Sequence, residues 1–179
     1  CGFWLGGYDP PYPIDITTNM VISKCRIRNN YADGVNFCQG TSGSVVEQSS
    51  VRNNGDDALA IWPANAAGNN QTCRNNIFRN NTIENTWRAG GIGIFGGTGH
   101  EVHHNVIKDG VAGSGIRFTN DFGGFTFEYP GTAIRVYENT INGCGTSYDL
   151  WNQKRGAVEL YANTGIFNLR FSSDDKLSI

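Results

Sequence analysis

Residues 28–37, RNNYADGVNF, and residues 52–61, RNNGDDALAI, are two copies of one run. Overlaying them puts Arg28 on Arg52, Asn29 on Asn53, Asp33 on Asp57 and Val35 on Leu59, a period of 24 residues. A period in the twenties marks a solenoid, whose coils bury apolar residues only by stacking on one another. With Ile27 and Val51 as an anchor column, the frame recurs at Ile83, Ile107 and Ile141, in steps of 24, 32, 24 and 34.

Further columns share this frame. Five residues before each anchor stand Ile22, Val46, Phe78, Val102 and Val136; after the anchors come Val35, Leu59, Ile92, Ile116 and Val158, then Phe37, Ile61, Ile94, Phe118 and Leu160. The apolar segments are short, β-branched and alternating, and no segment sustains a helical stripe. Three short strands per coil and five visible coils predict an all-β chain, a single-stranded parallel β-helix, with all of 1–179 as one such segment of a longer chain. Asn81, Asn105 and Asn139 precede the anchors by two, and Asn29, Asn53, Asn85 and Asp109 follow by two. Stacked Asn at bends bond along the axis and tolerate left-handed backbone, so these columns are expected to be structural.

Composition narrows the function. The 179 residues carry a formal charge of −2 and no basic stripe or run, which argues against nucleic acid. No apolar stretch approaches a membrane span. A monomer with no cofactor required for catalysis is expected, and the cysteine content mildly favours a secreted, extracellular setting. Five cysteines lack metal-site spacing; Cys38 and Cys73 bracket an excursion and either meet in an oxidising setting or serve as small core residues.

Extra residues beyond the 24-residue frame fall at about 62–73, 119–132 and 144–156, and are expected to wall a groove on one face. They bring Trp62, then Phe122, Phe125, Phe127 and Tyr129, then Tyr148 and Trp151; aromatic faces beside carboxylates suit sugar rings. A column of Gly34, Ala58, Gly91, Gly115 and Ala157 is read as an outward floor, with Asn36, Ala60, Gly93, Arg117 and Glu159 beside it. Asn36, Trp62, Arg117 and His100 are the expected substrate contacts, His100 because the flexible GGTG at 96–99 precedes it. Metal binding by His100, His103 and His104 is not expected, because no acidic or Cys partner completes a site.

Asp33 and Asp57 share a column whose backbones stack about 4.8 Å apart, and Asp56 adjoins Asp57. Like charges so close raise the proton affinity of at least one, leaving a proton donor beside acceptors, which is what glycoside hydrolysis needs. A water held between Asp33 and Asp57 fits inversion better than retention. Strand alternation alone sends Asp56 and Asp57 to opposite faces, so a bend at Gly55 is expected to rotate one of them. Asp columns can instead bind calcium, as in a non-catalytic, carbohydrate-binding adhesin, but such motifs recur on many coils, and here Arg88, Ala89 and Gly90 replace the acids on the third.

ADGVNF at 32–37 with NNGDDALAIW at 53–62 resembles the catalytic signature of glycoside hydrolase family 87, the α-1,3-glucanases (mutanases) and mycodextranases. GGIGIFGG at 90–97 and GSGIRF at 113–118 resemble that family's next two coils, so the likeness covers most of 18–120. Polygalacturonases and family 49 dextranases share the Asp-then-Asp-Asp order with a shorter separation than the 23 residues between Asp33 and Asp56. The resemblance implies a right-handed, single-stranded parallel β-helix, a pectin-lyase-like solenoid, and inverting hydrolysis of α-glucan. Asp33, Asp56 and Asp57 match the three catalytic acids, with Asp56 assigned as general acid and Asp33 with Asp57 as the water-activating pair. It also implies α-1,3-glucan as substrate, or a mixed α-1,3/α-1,4-glucan for a mycodextranase, with structural calcium an open option. Family members have more coils and usually β-sandwich modules, absent from this sequence.

Overall fold

The computed structural model describes residues 1–7, 16–63, 72–120, 127–128, 131–148 and 152–161. These contain sixteen strands and no helix: β1 Phe3–Leu5, β2 Val21–Ser23, β3 Arg26–Arg28, β4 Val35–Cys38, β5 Val45–Glu47, β6 Ser50–Arg52, β7 Leu59–Trp62, β8 Ile77–Arg79, β9 Thr82–Glu84, β10 Ile92–Ile94, β11 Glu101–His103, β12 Val106–Lys108, β13 Ile116–Thr119, β14 Arg135–Tyr137, β15 Thr140–Asn142 and β16 Val158–Tyr161. Every third strand joins the same sheet. One sheet runs β1-β4-β7-β10-β13-β16, the second β2-β5-β8-β11-β14 and the third β3-β6-β9-β12-β15. All neighbours within the three sheets are parallel, as a chain winding always the same way requires, and the architecture is a parallel β-helix.

The register follows the expected columns. Val35 pairs with Leu59, Leu59 with Ile92, Ile92 with Ile116 and Ile116 with Val158; Ile27 pairs with Val51, Val51 with Ile83, Ile83 with Ile107 and Ile107 with Ile141. From the second through the fourth coil these side chains are buried, each fully buried Leu, Ile or Phe contributing roughly 1.5–3 kcal/mol. On the last coil Val158 and Leu160 are exposed. Strand β1 extends the first sheet by pairing with β4, so that Trp4 stands beside Asn36.

The small-residue column does not floor a groove. An ideal Cβ on Gly34 would meet Val51 Cγ1 at 2.6 Å, on Gly91 Ile107 Cγ2 at 2.5 Å, and on Gly115 Ile141 Cγ2 at 2.4 Å. These positions turn inward against the anchor column, and they are small because the chain enters each first-sheet strand at a bend, where alternation does not hold.

Bends are stitched by ladders. Asn81, Asn105 and Asn139 accept the backbone N–H of Ser49, Asn81 and Asn105 respectively, each at 3.0 Å. Asn29, Asn53, Asn85 and Asp109 adopt φ of 54–60°, the left-handed conformation expected there. A second left-handed column, Lys24, Gln48, Asn80, His104 and Glu138, shows no residue preference in the sequence. All five cysteines are free, and Cys38, Cys73 and Cys144 are buried, which matches the core-residue alternative; no disulfide joins Cys38 to Cys73.

Candidate active site

Asp33 and Asp57 each lie just before a first-sheet strand, β4 and β7, in the bend that follows a left-handed Asn29 or Asn53. Because both acids of the Asp56–Asp57 pair are in this bend and not in a strand, alternation does not separate them. Gly55 serves close approach: a Cβ there would lie 2.0 Å from Tyr31 O and 2.5 Å from Trp87 Cζ2. The outcome is a cluster in which one carboxylate oxygen from each of Asp33, Asp56 and Asp57 lies within 4.8 Å of the others.

The three acids differ in surroundings. Asp33 is 7% exposed and Asp57 5%, whereas the Asp56 side chain is 38% exposed. Burial pushes Asp33 up to about 6; the Asn36 amide, donating from Nδ2 to Asp33 Oδ2 at 2.8 Å, opposes that, and the charge of Asp56 adds to it. Asp57 is raised well above the usual carboxylate range, first by burial and then by Asp33 and Asp56, while the Gly90 N–H at 2.8 Å and Arg117 pull the other way. Asp56 accepts from Arg88 Nη2 at 2.7 Å in an ion pair. The cluster therefore sets two carboxyls whose protonated forms burial favours beside a more accessible carboxylate paired with Arg88.

The other expected contacts separate on inspection. Asn36 is 4% exposed and orients Asp33; its Oδ1 in turn accepts from Cys38 Sγ at 3.0 Å, which sets which end of the amide faces the acid. Trp62, partly exposed, meets Trp4 edge to face with centroids 5.8 Å apart. Arg117 follows Asn36, Ala60 and Gly93 in register on the outward face, 3.5 Å from Glu159, with its charge felt at Asp57. His100 does not reach solvent. It is fully buried, its Nδ1 accepts the Asn76 N–H at 3.2 Å, and it is the histidine member of an internal ladder whose earlier rungs are Ser44 and Asn76. Gly97 with φ 94° and Gly99 with φ 66° turn the chain so that His100 points inward.

Of the expected aromatic walls, Phe122, Phe125, Tyr129 and Trp151 lie outside the described residues. Phe127 packs against the hydrophobic core, and Tyr148 is exposed beside Lys154. His103 and His104 stand apart from the acids, with Tyr137 stacked on His103 and Glu138 paired with His104.

Two contributors were not anticipated. Arg88, in the coil where the acid column stops, supplies a counter-charge to Asp56; Gly93 leaves the space that Asp57 fills, since a Cβ there would lie 2.3 Å from Asp57 Oδ2. The loss of both acids at positions 88–90 was the available signal. As for a cation, the donors already aimed at the carboxylates, the Asn36 amide, the Gly90 N–H and the Arg88 guanidinium, do not fit one.

Residues 12–178 match the family model described as the α-1,3-glucanase catalytic domain D2. Among solved structures, the chain is 48% identical to the Agl-KA catalytic domain, with a TM-score of 0.83 over 91% of this chain and 30% of that one. It is 34% identical to the catalytic unit of the thermostable GH87 α-1,3-glucanase from Streptomyces thermodiastaticus strain HF3-3, with a TM-score of 0.64 over 80% and 26%. The periplasmic alginate epimerase AlgG, 14% identical with a TM-score of 0.50 over 82% and 35%, shares the fold alone. The chain spans less than a third of the first two. No curated protein matches it.

Proposed function

Because the chain belongs to the α-1,3-glucanase catalytic-domain family, we propose that it hydrolyses α-1,3-glucan outside the cell, with inversion at the anomeric carbon and with Asp33, Asp56 and Asp57 as its acids. The observation that carries this is the cluster itself: three carboxylates within 4.8 Å, two buried and one accessible. Asp56 is the carboxyl that a polymer can touch, so it takes the role of proton donor to the leaving oxygen. Asp33 and Asp57 are too enclosed for a sugar ring, and hold the water that attacks the opposite face of the anomeric carbon.

The resting proton belongs to the buried pair, and Asp56 is tied to Arg88. Donation by Asp56 then follows transfer of that proton within the cluster, once the sugar engages Arg88. The glycosidic C–O bond breaks as the water oxygen bonds to carbon; the leaving oxygen takes the proton of Asp56, and the water's proton passes to the Asp33–Asp57 pair. A second outcome, retention, is favoured by spacing alone, since paired acids stand about 5–5.5 Å apart in retaining enzymes and about 6.5–9.5 Å in inverting ones.

Sugar release from swollen α-1,3-glucan by the protein and by its Asp56→Asn variant tests the assignment. Release by the wild type and a loss of at least a hundredfold in a folded variant are expected. Near-normal turnover by Asp56→Asn would remove Asp56 from the chemistry, and release from nigeran or dextran but not from α-1,3-glucan would overturn the substrate.

A further inference from the structure

On the other side of the acids from Trp4 and Trp62, along each coil, stands a second aromatic pair. Tyr31 and Trp87 are 75% and 43% exposed, with ring centroids 5.9 Å apart at 65°. Trp87 is fixed from below: its ring edge abuts Gly55, and its backbone N–H donates to Asn54 O at 3.2 Å. The Arg88 guanidinium lies 5.3 Å from the Tyr31 centroid and 6.0 Å from that of Trp87, and its far end bonds to Asp56.

We infer that Tyr31, Trp87 and Arg88 form a glucosyl subsite directly beside Asp56, which rests on the α-glucan reading above. Exposed aromatic surface next to a reacting group costs solvation unless something covers it, and the C–H face of a pyranose is the matching partner. The charge of Arg88 is already balanced by Asp56, so the patch is neutral overall and suits a neutral hexose better than a uronate. Arg88 offers further N–H donors to ring hydroxyls, so a sugar seated here competes with Asp56 for the guanidinium. Occupancy of the subsite would thereby free Asp56 for its proton transfer.

Tyr31→Ala is the clean test, because so exposed a side chain adds little to folding; Trp87→Ala is a second variant, with Gly55 packing at risk. Titration of Asp57→Asn protein with α-1,3-gluco-oligosaccharides, followed by calorimetry, should show at least fivefold weaker binding on adding Tyr31→Ala. In the active protein the same change should raise KM more than it lowers kcat and alter product lengths. Unchanged affinity and product pattern in Tyr31→Ala, with an active wild type, would overturn the subsite alone. If the wild type cleaves no α-1,3-glucan yet binding still falls in Tyr31→Ala, the subsite stands and the hydrolase assignment does not.

Discussion

The carboxylate of Asp57 occupies the space that a side chain at Gly93 would need, its Oδ2 lying 2.3 Å from the ideal Cβ position there. Gly93 belongs to the next coil, in register with Ala60 and Arg117, so stacking rather than sequence adjacency joins the two residues. Gly93→Ala should therefore displace Asp57 while leaving all three acids in the chain. An activity loss of at least tenfold with a melting temperature changed by only a few degrees is expected, from initial rates and thermal unfolding. Full activity would show that Asp57 does not act from its observed position.

Asn36 supplies the hydrogen bond that favours the ionised form of Asp33, against burial. Asp33 must be ionised to accept a proton, so kcat/KM should fall as pH drops through about 6. Asn36→Ala removes the stabilising donor, raises the proton affinity of Asp33 and should move that acidic limb to higher pH. Cys38→Val, which releases the amide from its orienting thiol, should shift it in the same direction by less. A limb unmoved in Asn36→Ala would separate Asn36 from the function of Asp33.

Asp33 also burdens the fold. Its folded value of about 6 lies above the ordinary 3.8, so its contribution to stability is full below 3.8 and is lost as pH rises through 6. A difference of about two units corresponds to about 3 kcal/mol at most. Asp33→Asn should accordingly be inactive but more stable than the wild type at pH 8, and indistinguishable from it at pH 3, by denaturant unfolding.

His100 has the opposite sign. Burial first of all pushes it down to about 4, from 6.5, so stability is full above 6.5 and is lost as pH falls toward 4. His100→Asn, which restores the residue type of Asn76 in the same ladder, should lessen the loss of stability between pH 7 and 4. It should leave activity at neutral pH within about twofold, because His100 is fully buried in the internal ladder.

The coil register was readable because stacking demands it: each of Ile27, Val51, Ile83, Ile107 and Ile141 must cover the next, so their spacing survives excursions of any length. Cluster membership was readable for the same reason, since Asp33 and Asp57 occupy one column. Facing was harder. Gly34 and His100 lie at bends, where the two-residue alternation of a strand no longer says which side is inward, and both point into the core. Arg88 escaped notice because its pairing with Asp56 depends on the path of that bend. β1 was not read from the sequence, although Phe3 and Leu5 pair with Val35 and Phe37 in the first-sheet columns.

The most direct test of the central claim is the anomer released first when the protein digests α-1,3-glucan, followed by proton NMR before mutarotation. Attack by a water held at Asp33 and Asp57 on an α-linkage predicts the β-anomer as the initial product, with its signal absent in Asp56→Asn. Initial appearance of the α-anomer would contradict the water-activating role of the buried pair, and absence of any product would contradict the assigned activity.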